Sequence, residues 1–441
     1  MLVTDLLYAR AQMGLSLAFH IVFAAAGVAL PVLMVISDLK ARRTGDADYR
    51  KLSQKLAKGT AILFAVGAVS GTVLSFELGL LWPEFMGQYG EVIGLPFSLE
   101  GVAFFTEAIF LGIYLYGRER VSPHLHLFSG VMVALSGAAS AFFVTLVNVF
   151  MNDPSGFTPT ASGPTDIQPL VAMFSSGWPY QTAHVLLSCY QASAFAMAGI
   201  HAFVLLRHPD SAFHRKALSV ALPLACLTAL AQPLVGDFLA KHAAKAQPVK
   251  LAAMEGHFDT ERGAPLRLGG LPDVETATTP YSLEVPYGLS ILAFNDPHAE
   301  VKGLKEFPRE DWPPVAKVHL SFQVMVGAGS AMALLGLVTL GLRWRKRQWP
   351  SGPRMMRAWL LASPLGVLAM EAGWLVTEWG RQPWIIRGVM RTADAVTPVP
   401  HLAAPFWTFT LVYLFLGVTV AFLLARQVAG TIPGQEAGDD H

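Results

Sequence analysis

Nine apolar runs, each near or above the length that crosses a bilayer, leave this chain very few folds. They lie near residues 13–37, 58–82, 98–117, 127–150, 179–206, 216–236, 317–342, 358–379 and 404–426. About 20 apolar residues cover the hydrocarbon layer. In lipid the backbone polar groups have no water to bond, so each run must satisfy them internally, as a helix. The expected fold is therefore an all-α polytopic membrane bundle with about nine transmembrane helices. With 53% hydrophobic and 14% charged residues, the 441-residue chain lacks the polar surface a soluble protein of that size needs. The first run starts too soon and extends too far for a cleaved signal peptide. The formal charge of +1 selects no partner, and no basic tract points to nucleic acid. The longest polar stretch separates three regions: 1–236 with spans one to six, an outer-side loop at 237–316, and 317–441 with spans seven to nine and a polar tail.

Basic residues set the expected orientation. Lys40, Arg42, Arg43, Arg50, Lys51, Lys55 and Lys58 follow span one, Arg118 and Arg120 follow span three, and Arg207, Arg215 and Lys216 follow span five. Arg343, Arg345, Lys346, Arg347, Arg354 and Arg357 follow span seven, whereas the connections 83–97 and 151–178 contain no Lys or Arg. This alternation places the N-terminus outside and the C-terminus in the cytoplasm. Cys189 and Cys226 both fall inside apolar runs and form no CxxC pair, so any redox chemistry must come from a bound cofactor. The terminal TIPGQEAGDDH is polar and expected to fray.

The most informative stretch is Glu371 to Trp384, EAGWLVTEWGRQPW. Glu371, Glu378 and Arg381 close an apolar run, where charge costs several kcal/mol unless paired, hydrated or bound. Glu371 and Glu378 are seven apart and share a helix face, and Gln382-Pro383 stops the helix. Trp374, Trp379 and Trp384 can belt an interface or wall a flat cofactor. Span three repeats the pattern with Glu100 and Glu107, about 10 Å apart on one face by the helical rise, as a proton relay or a cation site would require. A structural pair bonded across helices is the alternative. Glu77 near the outer end of span two reads at least as readily as interfacial as functional, Ser140 could relay a proton but reads first as bonded back to its own helix, and Asn148 precedes an Asn-Asp-Pro stop.

His20 in span one and His184 in span five lie toward the outer side, where neutral imidazoles serve as haem ligands or bond neighbouring helices. His201, nearer the cytoplasmic end, reads as interfacial. Met325 in span seven matches the depth of His184; a thioether there is ordinarily packing, but opposite His184 it completes a His/Met haem site. In the long loop, KLAAMEGHF sets Lys250 and Glu255 about one turn apart on a short amphipathic helix, and loops this long are usually functional.

GRQPW after a Glu-bearing helix, Glu100-Gly followed by Phe-Phe-x-Glu107, and Lys-Leu-Ala-Ala-x-Glu in the loop together resemble subunit I of the cytochrome bd-type quinol oxidases over nearly the whole chain. The seven-residue Glu100–Glu107 spacing and the compact loop are closest to the cyanide-insensitive branch. The resemblance implies two haems b and one haem d, or a third haem b. His184 and Met325 would ligate one haem, and His20 and Glu378 would be axial ligands in a di-haem cluster with Glu100 beside the oxygen-binding haem. Trp374 would bridge the haems, and Arg381 would pair with a propionate or carboxylate. Lys250 and Glu255 would contact ubiquinol or another quinol, and Glu107 and Glu100 would bring cytoplasmic protons to O2. An arginine that stands two residues before the methionine in part of the family is Gln323 here, which removes a positive charge near that haem. The resemblance further implies a second large subunit, a possible single-helix subunit, and residence in a bacterial cytoplasmic membrane. Two other classes stay open: a cytochrome b-like electron carrier without oxygen chemistry, which needs no carboxylate cluster, and a carboxylate-based proton or ion transporter, which needs no His/Met pair.

Overall fold

The computed structural model describes residues 3–160 and 163–432. Among them are nine helices long and apolar enough to cross a membrane: Asp5–Thr44, Ala47–Leu81, Pro83–Tyr116, Pro123–Asn152, Trp178–Arg207, Ala212–Ala246, Val315–Lys346, Pro353–Arg381 and Ala403–Ala429. They are numbered below as spans one to nine. The expected all-α bundle holds. Residues 1–2, 161–162 and 433–441, the last including most of the tail expected to fray, lie outside the described residues.

Each span is longer than its apolar core, because polar ends extend past the hydrocarbon. Two extensions revise the expected boundaries. The connection 83–97 is not a loop: Pro83 opens a helix that runs to Tyr116, with Pro at the first turn, where its missing N–H costs nothing. Span six continues to Ala246, so the long loop begins at Gln247 rather than at 237. Span eight is broken at Ser363-Pro364, where proline removes a helical donor, into Pro353–Ala362 and Leu365–Arg381. It ends at Arg381, in front of Gln382-Pro383, as expected.

Span one is the hub, packing on spans two, four, five and nine; span three packs on four, five on six, and seven on eight. The largest core cluster joins spans five, six and eight around Phe195, Leu222, Cys226 and the fully buried Trp359. A second cluster closes the end that carries the long loop, where Phe85, Tyr89 and Phe150 meet Ile385 and Ile386 of the segment after span eight. At the opposite end, Asp38 is buried and accepts from Arg42 at 2.9 Å, with His126 at 3.7 Å.

The long loop, 247–314, begins with a helix at Pro248–Glu255 ended by Gly256 in the left-handed region, φ +59°, which favours glycine. Ala252, Ala253 and Met254 of this helix pack with Val318 of span seven and Val376 of span eight. That contact draws the polar residues of the same short helix under the loop. Between spans four and five, Thr158–Thr160 and Gly163–Thr165 pair as a small hairpin.

Small residues let span eight approach span five. A Cβ on Gly366 would stand 2.5 Å from the Cα of Ala192. Gly366→Val should therefore lower the thermal midpoint of the detergent-solubilised protein, by the equivalent of about 1–3 kcal/mol for an overpacked contact. Gly341→Ala, at a position with nothing within 4 Å, should leave the midpoint unchanged.

Candidate functional site

The site is built where spans four, five and eight end beneath the loop. Glu378 and Arg381, one turn apart on span eight, form an ion pair at 2.6 Å. Asn148 Nδ2 of span four donates to the other Glu378 oxygen at 2.7 Å. Asn152, one turn on, donates to Asn148 Oδ1 at 3.0 Å and accepts from Lys250 Nζ at 2.5 Å. Gln181 at the start of span five also donates to Asn148 Oδ1, at 2.6 Å. A loop lysine and a span-eight glutamate, 128 positions apart, thus sit in one hydrogen-bonded set. Arg381 is 4% exposed, and its Nε and Nη1 have no partner among the described residues.

Span one and span two hold His20. Ser70 Oγ lies 2.9 Å from His20 Nδ1 and donates its own proton to the Val66 carbonyl at 2.9 Å. When the Ser70 proton goes to that carbonyl, its oxygen is free to accept from His20 Nδ1, an arrangement that leaves the lone pair on Nε2. Gly71 leaves room for the ring, since a Cβ there would be 3.1 Å from its Cε1.

Glu100 and Glu107 share one face of span three, and the reading of Ser140 is corrected. Its hydroxyl donates across helices to Glu100 at 2.9 Å rather than to its own backbone, because a neighbouring carboxylate is the stronger acceptor. Glu107 is buried against Gly137 of span four, where a Cβ would come within 3.3 Å of its carboxylate. Glu77 is not interfacial either. It is 3% exposed and accepts from Gln12 and Ser16, each at 2.9 Å, while Tyr413 of span nine donates to Ser16. The span-two helix tilts this carboxylate inward, toward polar partners on span one. His201 is likewise buried, its Nδ1 2.9 Å from that of His214.

His184 of span five packs against Gly236 of span six, where a Cβ would be 3.3 Å from the ring. Its Nδ1 is buried without a partner among the described residues. Met325 of span seven lies over Gly373 of span eight, where a Cβ would meet its sulfur at 2.8 Å. The next residue, Trp374, has a buried Nε1, and Glu371 a buried Oε1, that have no partner among the described residues. Of the other two tryptophans, Trp379 faces Lys317 and Trp384 faces Arg391, at 5.4 Å and 4.4 Å from the ring centroids. Gln323 ties span seven to the loop, accepting from Gly269 N at 3.1 Å and donating to the Arg267 carbonyl at 3.0 Å.

In the loop, Lys250 and Glu255 are 8% and 4% exposed. Burial, aided by the nearby Arg381 charge, pulls the Lys250 ammonium down to about 7. Burial pushes the Glu255 carboxyl up to about 8. Both groups can change charge near neutral pH, as proton-handling residues must. Asn152, Gln181, Ser70, Gln12 and Ser16 were not singled out in the sequence. The only linear signal was the four-residue spacing of Asn148 and Asn152, which puts them on one face of span four.

Nine candidate spans with carboxylate and imidazole side chains buried between them define a polytopic membrane protein with a polar site inside its bundle. The chain matches the family model of cytochrome bd terminal oxidase subunit I over residues 8–432, and it belongs to that family. It is 36% identical over 428 residues to the Bacillus subtilis (strain 168) protein named "Putative cytochrome bd menaquinol oxidase subunit I", covering 95% of this chain and 96% of that one. It is 30% identical over 441 residues to the cytochrome bd ubiquinol oxidase subunit 1 of the same organism, covering 96% and 94%. The structure of bd oxidase from Geobacillus thermodenitrificans superposes with a TM-score of 0.90 at 40% identity, over 96% of this chain and 98% of that one. The expected oxidoreductase class and multi-pass fold both hold.

Glu77 is held by neutral donors, so removing the carboxylate's acceptors matters more than removing its charge. Glu77→Leu should cost about 1–3 kcal/mol by stranding Gln12 and Ser16, whereas Glu77→Gln should stay close to the parent; thermal unfolding of the two variants checks this.

Proposed function

We propose that this chain is the haem-carrying subunit of a terminal quinol oxidase, oxidising quinol under its long loop and reducing O2 to water within the bundle. The observation that supports this most strongly is Arg381: beside its pair with Glu378, two more buried nitrogens lack partners, as a guanidinium positioned for a second anionic group would. A haem propionate fits that chemistry. His184 Nδ1, without a partner among the described residues, and an imidazole nitrogen of His20 would suit a haem iron as ligands.

Haem, when bound, supplies one-electron transfer and an iron that takes O2. His184 and Met325 would hold one haem; His20 and Glu378 would hold two more, with Glu100 beside the oxygen-binding one. Two of the haems are b, and the third is d or b. Gly236, Gly71 and Gly373 make room for the His184 and His20 rings and the Met325 side chain. Ser70 orients the His20 ring, as partners of iron-ligating histidines generally do. Trp374 lies one turn before Glu378 and would line the haem site.

Quinol, whether ubiquinol or menaquinol, would lie against Lys250 and Glu255. The Glu255 carboxylate takes a hydroxyl proton as the quinol is oxidised, and Lys250 positions the ring oxygen. Two quinols give the four electrons that one O2 requires and release four protons at the loop side, while four other protons, taken from the opposite side, complete two waters. Glu107 and then Glu100, with the Ser140 hydroxyl at 2.9 Å, would hold protons on their way to oxygen. The basic connections lie at the end opposite the long loop, so that end faces the cytoplasm and the loop faces outward. Protons are then released outside and consumed from inside, which generates a membrane potential. The chain would work in a bacterial cytoplasmic membrane beside subunit II, with or without a single-helix subunit.

Glu255 becomes able to accept a proton only as pH rises through about 8. Quinol oxidation should therefore climb over that range, and Glu255→Gln should flatten the climb and lower kcat about 100-fold. Met325→Leu conserves volume but removes the thioether. It should convert one low-spin haem to a high-spin form in the absorption spectrum while the chain still assembles; an unchanged spectrum would remove Met325 from the ligand set.

A further inference from the structure

We propose that Asn148 and Asn152 form a two-amide bridge that holds Lys250 of the loop and Glu378 of span eight in fixed register, so that both asparagines are positioning residues for quinol oxidation. The inference rests on the quinol-site reading of Lys250 and adds residues that no part of that reading requires.

The bridge has one direction. Glu378, paired with Arg381, only accepts, so Asn148 must present Nδ2 to it. Asn148 Oδ1 is then left to receive Nδ2 of Asn152 at 3.0 Å and Nε2 of Gln181 at 2.6 Å. Asn152 Oδ1 is left in turn for Lys250 Nζ. Every proton along the row points from the lysine toward the carboxylate. Aligned dipoles of this kind strengthen one another in a site shielded from water. The row is shielded, since Asn148 is 6%, Asn152 1% and Lys250 8% exposed.

A purely structural role would be capping the end of span four. Capping explains the bond from Asn152 Nδ2 to its own helix, at the Asn148 carbonyl, and the Arg387 Nε bond to the Asn152 carbonyl, at 2.9 Å and 2.5 Å. It does not explain why the two side chains also join and then reach a loop lysine on one side and a carboxylate on the other. The lysine stem is held independently, lying across Gly380, where a Cβ would be 2.9 Å from its Cγ. Gly380 is two residues from Glu378. Asn152 therefore sets where the Lys250 nitrogen stops, and Asn148 sets how the Glu378 carboxylate is turned.

The test uses the whole complex with its partner subunit and haems, a soluble short-chain quinol, and four variants: Asn152→Leu, Asn152→Asp, Asn148→Leu and Lys250→Met. Asn152→Leu should raise KM for the quinol at least about tenfold, the size seen when a second layer of support around a site is lost. It should also shift the midpoint potential of the haem nearest Glu378. Asn152→Asp keeps an acceptor for Lys250 but cannot donate to Asn148. It should hold KM within a few-fold of the parent while the potential still moves, and it serves if the leucine variant fails to assemble. Asn148 and Lys250 do not touch, yet the effects of Asn148→Leu and Lys250→Met should combine to less than their product. Assembled variants with unchanged KM and potential but a lower thermal midpoint would overturn the bridge, as would effects that simply multiply. If Lys250→Met alone leaves KM unaltered, the quinol-site reading fails, and the bridge then stands or falls on the potential shift in Asn152→Asp.

Discussion

The ion pair between Glu378 and Arg381 is the interaction on which the rest of this site depends. A lone carboxylate or guanidinium this deep in a membrane bundle costs several kcal/mol, and pairing them one helical turn apart makes both tolerable. The pair also leaves each partner with unused capacity. Glu378 still takes a bond from Asn148, and Arg381 keeps two buried nitrogens free of partners among the described residues. A pair of this kind stabilises little by itself. Its value lies in holding charge where a cofactor can use it.

From that point the arrangement spreads through neutral polar groups rather than further charges. Amides carry it to the loop at Lys250, and hydroxyls fix His20 and Glu100. Neutral donors orient ligands without adding a second desolvation cost, which suits a low-dielectric interior. Glycines opposite His20, His184 and Met325 do the complementary work, leaving space where any side chain would press on those rings and that sulfur.

Much of this was legible in the chain. Nine apolar runs specified nine candidate spans because lipid permits only helices there, and the rare ionisable residues within them singled out a candidate site because lipid penalises every one. What was not legible depended on which way a helix face turns. Glu77 lies near a span end by position, but its helix directs it toward Gln12 and Ser16. His201 reads as interfacial by position, but it faces His214 across the gap between two helices. Ser140 can bond its own helix or a neighbour, and only the facing Glu100 decides. The role of Asn152 needed the loop helix to fold back over span four, a contact between residues 98 positions apart. The boundary of span three was missed because Pro83 starts a helix as readily as it ends one.

Whether this polar cluster holds haem is read from a reduced-minus-oxidised absorption spectrum of the purified complex, with its haems extracted and identified. Three haems per copy of this chain are expected: two b with a d, or three b. A single haem b would point to an electron carrier without oxygen chemistry, and a chain with no haem would contradict the account outright.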